Sequence, residues 1–354
     1  MAQGVDAVIR AAVVLWAGTL GGIGSAASQT VPPDLPLAVT NNAVAGGRAG
    51  DRSVWYSMMG IDSTKAWSGI STRAFRWTDG DPTWTELPRV PGTVGRLAAT
   101  AQIVRGRVYL FGGYTVSATG AERSVPEVDV FDPAIARWTV AAPIPIPVDD
   151  AVSGVYRDSL VYLVSGWHDT DNVAAVQIYD AVRDRWTAGT PFPGTAVFGH
   201  TGGLIDGALL VTDGAKRIPG PVRYALEPQA WLGRIDPEHP TSIVWEKVAD
   251  HPGPPRYRAA GGGCGRSTIV IAGGTANPYN YNGIGYNGAA SEPEPGSLAF
   301  DVRSKRWRTL PAPPAGTMDH RGLLVDGVSG WVIGGMAGGQ RVTAGVVRYP
   351  LPGC

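Results

Sequence analysis

The chain has 354 residues, with 30 Lys and Arg against 30 Asp and Glu, so no net field draws it to nucleic acid or to an anionic membrane. Hydrophobic residues make up 44%, enough for a core, and 49 Gly with 29 Pro call for many turns. Five His and two Cys leave too few ligands for a multi-ligand metal site, and no metal or other cofactor is expected.

The N-terminus reads as an export signal. Arg10 supplies a positive start, residues 11–24 carry no charge, and Ser25-Ala26-Ala27 offers small residues for a signal peptidase. The uncharged stretch is shorter than the roughly 20 apolar residues that cross a bilayer. Cleavage after Ala27 is expected, leaving residues 28–354 as one periplasmic or secreted domain that no longer touches the membrane. Cys264 and Cys354 can pair in such a compartment, or they can be two unrelated thiols, one packed and one terminal.

A unit of about 50 to 60 residues then recurs along the chain. Each copy has an apolar strand ending in a small-residue pair, a variable loop, a strand ending in Asp-Pro or a relative, and a Trp. Tyr56-Ser57-Met58-Met59-Gly60 leads to Phe75-Arg76-Trp77 and Trp84. Val108-Tyr109-Leu110-Phe111-Gly112-Gly113 leads to Val130-Phe131-Asp132-Pro133 and Trp138. Val161-Tyr162-Leu163-Val164-Ser165-Gly166 leads to Ile178-Tyr179-Asp180 and Trp186, and Val211-Thr212-Asp213-Gly214 to Ile235-Asp236-Pro237 and Trp245. Ile269-Val270-Ile271-Ala272-Gly273-Gly274 leads to Phe300-Asp301 and Trp307. Trp331-Val332-Ile333-Gly334-Gly335 opens a sixth copy that reaches Tyr349 without its outer Trp.

Short β-rich runs between Gly and Pro turns predict antiparallel strands. The Gly pair predicts a crowded turn near an axis, and the outer Trp predicts packing between sheets. These signatures resemble the kelch repeat. The resemblance implies an all-β, six-bladed kelch-type β-propeller. The segment Val31-Pro32-Pro33-Asp34-Leu35-Pro36-Leu37 looks like Leu310-Pro311-Ala312-Pro313-Pro314, so an N-terminal strand is expected to close the last blade.

Ligands of such rings collect at a mouth of the central channel. Counting back from each Gly pair to the start of the inner strand gives Arg96, Asp150, His200, Arg258 and His320. In Gly199-His200-Thr201 and Asp319-His320-Arg321 the His precedes an Asp-Gly turn at the same spacing. Such groups serve a site or hydrogen-bond neighbouring loops, and both readings stand. Two loops add to the set. Residues 214–223 bring Lys216, Arg217 and Arg223, suited to an anion. Residues 277–287 place Tyr279, Tyr281 and Tyr286 among Asn residues, and rings with amides suit sugars.

The layout is similar to the periplasmic N-acetylneuraminate epimerases, or sialic acid mutarotases. The likeness rests on Leu35-Pro36-Leu37, on Gly214-Ala215-Lys216 with Pro219-Gly220 and Arg223, and on Ala272-Gly273-Gly274 with its Tyr- and Asn-rich loop. That family uses a Glu and an Arg from the fourth blade. Arg223 stands at the Arg, no Glu lies between Gly214 and Arg223, and Trp167 to Asp171 is a short loop where the family carries an insertion. The resemblance implies a mutarotase for an acidic sugar, and the chain's own inner-strand positions offer His200, His320 and Asp150 to move the protons. Arg96, Arg223, Arg258, Lys216, Tyr279 and Tyr281 would hold the sugar. The partner expected is therefore a small, anionic carbohydrate, and self-association stays open. The rival reading is a non-catalytic propeller that binds glycans or proteins.

Overall fold

A computed structural model describes Met1 and residues 31–354. The export segment lies, Met1 apart, outside the described residues. Each repeat forms one antiparallel sheet. Blade 1 comprises Ala43–Ala49, Arg52–Met58, Ala74–Thr78 and Thr85–Glu86. Blade 2 comprises Thr100–Val104, Arg107–Phe111, Val128–Asp132 and Arg137–Val140. Blade 3 runs through Val152–Tyr156, Leu160–Val164, Val176–Asp180 and Arg185–Ala188. Blade 4 runs through Thr201–Ile205, Ala208–Thr212, Ala230–Ile235 and Ile243–Lys247. Blade 5 runs through Ala260–Cys264, Thr268–Ala272, Ser297–Asp301 and Arg306–Leu310. Blade 6 has three strands among the described residues, Leu324–Asp326, Ser329–Ile333 and Val346–Pro350. The inner strands neighbour one another in chain order, and blade 6 meets blade 1. The architecture is a six-bladed propeller.

Local chemistry explains the repeat. In blades 2 to 5 the Asp at the end of the third strand accepts backbone N–H groups of the next turn. Asp132 takes Ala134 N at 3.0 Å, Asp180 takes Val182 N at 3.0 Å, and Asp301 takes Ser304 N at 2.6 Å. The Gly pair holds two successive positive φ angles, 54° at Gly112 and 91° at Gly113. A Cβ on Gly113 would stand 2.6 Å from the Leu97 carbonyl oxygen, so only glycine fits. The Gly113 N–H then donates to Val148 of the next blade at 3.1 Å.

The outer Trp does something other than fill a gap. Trp138, Trp186 and Trp307 are half-buried, and each faces an aromatic across the strand pair. The ring centroids of Phe131 and Trp138 are 5.1 Å apart, those of Tyr179 and Trp186 5.1 Å, and those of Phe300 and Trp307 4.8 Å. Each indole N–H donates to a carbonyl just beyond the fourth strand of the preceding blade: Trp138 to Pro88 at 2.8 Å, Trp186 to Ala142 at 2.8 Å, and Trp307 to Ala249 at 2.7 Å.

The same bond shows how the ring closes. Trp84 of blade 1 donates to Pro33 at 2.8 Å, so Pro33 takes the place of Pro88 and Ala142. Leu35 N donates to Ala344 at 2.9 Å, as Ile144 N does to Pro126 and Phe192 N to Ala174. Gly335 N of blade 6 reaches Val39 O at 2.9 Å. The expected closing strand is thus an extended segment in these residues: 33–39 carry no strand, and Thr40 makes a single bridge to Ile61. Pro32 stands where Ala141 and Gly189 donate to the third strand, and a proline has no N–H to offer. Cys264 and Cys354 are disulfide-bonded, with Cα atoms 5.4 Å apart, which ties the C-terminal residues to the inner strand of blade 5.

Candidate functional site

At the axis, the chain turns into each inner strand through one residue with positive φ. The six residues are Asn41 (61°), Ala98 (55°), Asp150 (53°), Gly199 (60°), Arg258 (51°) and Asp319 (76°). Asn and Asp tolerate this region because their short polar side chains bond locally. This is the true equivalent position, and it differs from the ring read from sequence. Arg96 lies two residues before Ala98, while His200 and His320 lie one after Gly199 and Asp319. The inner hairpin turns over Arg105–Gly106 in blade 2 but over Arg157–Ser159 in blade 3, so counting from the Gly pair slips the register.

The equivalent residues build an ionic plug across the channel. Arg258 donates from Nη2 to Asp150 Oδ2 at 2.7 Å and from Nη1 to Asp319 Oδ1 at 3.2 Å. Arg321 Nη2 lies 2.9 Å from Asp150 Oδ1 and 3.4 Å from Asp319 Oδ1. Two guanidinium groups and two carboxylates cancel in charge, which a buried cluster requires. Burial pushes the Asp319 carboxyl up, yet Arg258 and Arg321 hold it below its ordinary value. Burial likewise works to lower Arg258, but Asp150 and its neighbours outweigh it and raise the guanidinium well above its usual pKa. Tyr257 and Tyr279 flank the Arg258 guanidinium, their ring centroids 4.9 and 5.2 Å away.

Above the plug, the loops after the second strands enclose a pocket of about 340 Å³. Blade 2 sends the hairpin Tyr114–Val116 and Glu122–Ser124, blade 3 sends Trp167–His168, and blade 4 sends Ala215–Arg217 and Tyr224–Leu226. The Tyr- and Asn-rich loop of blade 5 adds Asn280 and Tyr286. One wall is aromatic: the rings of Tyr224 and Tyr286 are 4.4 Å apart, and Trp167 meets Tyr224 at 5.5 Å. The exposed Arg223 lies over both tyrosines, 5.8 and 5.6 Å from their centroids. Glu122, Asp149, Asp150 and Asp169 also line this pocket, and the first two have raised pKa values. Asp149 is buried and accepts the Ser124 hydroxyl at 2.7 Å. Burial, then the neighbouring Asp150 charge, push its pKa well above the carboxylate range. Glu122 is exposed at the mouth, and crowding by the pocket walls still raises it.

Below the plug, a channel of about 570 Å³ runs between the inner strands, with glycines such as Gly154, Gly203 and Gly262 among its lining residues. His200 and His320 face this lower channel. The five ring residues expected to share one cavity therefore do not. Only Asp150 borders both spaces, and Arg258 borders the upper one. His200 donates from Nε2 to the Val164 carbonyl at 2.8 Å, and His320 shares a 2.8 Å hydrogen bond with Thr317 Oγ1. Burial lowers both imidazoles to about 4.

The remaining expectations separate in the same way. Arg96 is buried between blades 1 and 2, paired with Asp129 and donating to the Glu127 carbonyl at 3.1 Å, away from either space. Lys216 is committed to Glu227 at 2.5 Å. Tyr279 is fully buried beneath the pocket, and Tyr281 packs beside Ile61 and Leu97. Of the residues singled out in the two loops, Arg223 and Tyr286 line the pocket, while Lys216, Arg217, Tyr279 and Tyr281 do not. Sequence reading passed over Glu122, Asp149, Trp167 and Tyr224. Their one signal was position, since three of them lie in loops just after a Gly pair and Asp149 adjoins Asp150.

Comparison with known proteins agrees with this architecture. The kelch motif matches residues 95–145, which span blade 2. Over 143 residues the chain is 28% identical to the Kelch-like protein terF of Aspergillus terreus (strain NIH 2624 / FGSC A1156). That match covers 39% of this chain and spans 29% of that protein's length. The solved structure of YjhT superposes with a TM-score of 0.73 at 16% identity, covering 92% of this chain and 98% of that one, a likeness of fold. The chain is a six-bladed β-propeller that carries a kelch motif.

Proposed function

We propose that the upper pocket binds a carboxylate-bearing sugar and interconverts its anomers. One observation carries the reading. A guanidinium with no ion pair among the described residues, an aromatic wall of tilted and edge-on rings and two carboxyl groups with raised pKa values meet in a space sized for a monosaccharide. Arg223 would hold the sugar carboxylate, and Tyr224, Tyr286 and Trp167 would pack on its C–H faces. The position of Arg223 is the one at which the chain resembles the sialic acid mutarotases.

Mutarotation asks for one base and one acid. Glu122 would take the proton of the anomeric hydroxyl while Asp149 gives its proton to the ring oxygen. The ring C–O bond then breaks as the carbonyl forms, and reclosure on the other carbonyl face returns both protons. His200 and His320 lie across the plug from this pocket and take no part. The Cys264–Cys354 bond suits an oxidising compartment, and the same reading places the protein there.

Saturation-transfer NMR on N-acetylneuraminate tests the reaction. Exchange between anomers should accelerate with the protein and fall roughly 100-fold in Glu122→Gln, with binding retained. Binding without acceleration would leave a glycan-binding propeller, and no binding would remove the sugar reading.

A further inference from the structure

The floor of the upper pocket is wired to the segment that closes the ring. Thr40 is fully buried next to Val39, whose carbonyl receives blade 6, and its hydroxyl donates to Asp319 Oδ2 at 2.6 Å. Asn41 Oδ1 accepts Ala98 N at 2.8 Å and Arg321 Nη2 at 2.5 Å. Asp319 and Arg321 are the two plug members that do not line the pocket. Arg258 and Asp150, which do, are held by them.

Resting on the reading that this pocket holds a ligand, we propose that Thr40 and Asn41 are positioning residues for it, so that docking of residues 39–41 sets the geometry of the pocket floor. Each oxygen of the Asp319 carboxylate has its own task. Oδ2 takes the Thr40 hydroxyl, and Oδ1 faces both guanidinium groups. Without the hydroxyl, Oδ2 is a buried acceptor left open, and the carboxylate turns to compete for Arg258. Arg258 then loosens from Asp150. The backbone bridge between Thr40 and Ile61, at 3.0 and 2.9 Å, is untouched by a side-chain change, so the hydroxyl can be tested apart from closure.

Thr40→Val removes the hydroxyl at constant shape, and Thr40→Ser restores it. The first readout is solvent exchange of the Arg258 Nε–H by nitrogen-labelled arginine NMR, and the second is calorimetric affinity for N-acetylneuraminate. In Thr40→Val, exchange should quicken and Kd should rise, each by about tenfold, while Thr40→Ser stays near the parent in both. A folded Thr40→Val protein with parental exchange and parental Kd overturns the proposal. If the parent binds no sugar, the ligand reading has failed, and the arginine exchange alone decides the wiring. Should Thr40→Val not fold, Asn41→Gly takes its place, since glycine accepts the φ of 61° and removes the acceptor for Arg321.

Discussion

Arg223 holds its backbone at a φ of 64° and lays its side chain over Tyr224 and Tyr286. A non-glycine residue in that region costs about 1–3 kcal/mol unless its surroundings favour it. A cation resting on rings, with no ion pair among the described residues and only a longer-range attraction to Glu122, can still take an anion. Arg223→Ala should weaken binding of N-acetylneuraminate by about 1.5–3 kcal/mol and leave a neutral hexose unaffected. Equal losses for both sugars in calorimetry would remove the anionic reading. The two channel histidines make a separate prediction. Both are held near 4, below the ordinary 6.5, so the unfolded chain binds protons that the folded one refuses. Their contribution is complete above pH 6.5 and is lost as pH falls toward 4. The stability deficit of His200→Gln relative to the parent should therefore shrink by about 2–3 kcal/mol between pH 7.5 and 4.5. A pH-independent difference in urea midpoints would show that His200 is not held neutral. These residues also mark where sequence reading stopped. Charge and imidazole at the axis were legible, but whether a side chain points above or below the plug depends on single-residue differences in the inner hairpins. Residue counting does not carry that information.

The blade was legible because its physics repeats. Strand, glycine turn, Asp-capped turn and Trp recur at a spacing that no two-sheet sandwich needs. The loops after the Gly pairs do not repeat, and they are the segments that make the pocket. Glu122 and Trp167 sit on short hairpins without unusual composition, so the longer loops of blades 4 and 5 drew attention instead. The glycine argument can be tested with two turns of blade 2. Gly106 has a φ of 74° and no atom within 4 Å of an added Cβ, whereas Gly113 has a φ of 91° and the Leu97 carbonyl oxygen at 2.6 Å. Gly106→Ala should cost about 1 kcal/mol for conformation alone. Gly113→Ala should cost about 3 kcal/mol or more, because backbone has to move as well. Similar costs in urea titrations would mean that the turn, and not the crowding between blades, selects the glycine.

Across the whole molecule, residues 33–39 and the C-terminal residues 351–354 are secured by different physics, and the difference predicts which segment matters more. The sixth copy lacks its outer Trp strand, so the sequence already pointed to the N-terminal segment as its complement. The bonds now assigned to that segment are the Trp84 indole on Pro33, Leu35 on Ala344 and Gly335 on Val39. Leu35 itself is buried among Trp55, Trp77, Trp84 and Trp331. Removing residues 28–38 would strip a blade–blade seam of the buried Leu35 and of the Pro33 and Leu35 hydrogen bonds, leaving only those of Val39, and expose an edge of blade 6. The Cys264–Cys354 bond ties the turn that follows the last strand of blade 6, with the buried Leu351, to the inner strand of blade 5. Its loss should cost about 2–4 kcal/mol, chiefly through the unfolded chain, with the ring intact and a single unfolding transition. The truncation, by contrast, should abolish cooperative unfolding or cause aggregation at micromolar concentration. Urea titrations of the truncated protein and of a Cys264→Ala, Cys354→Ala double variant, monitored by tryptophan fluorescence, separate the two. A truncated protein with the parental midpoint would overturn closure by the N-terminal segment. A double variant that loses its single transition would instead place the seam of the ring at the C-terminal tail.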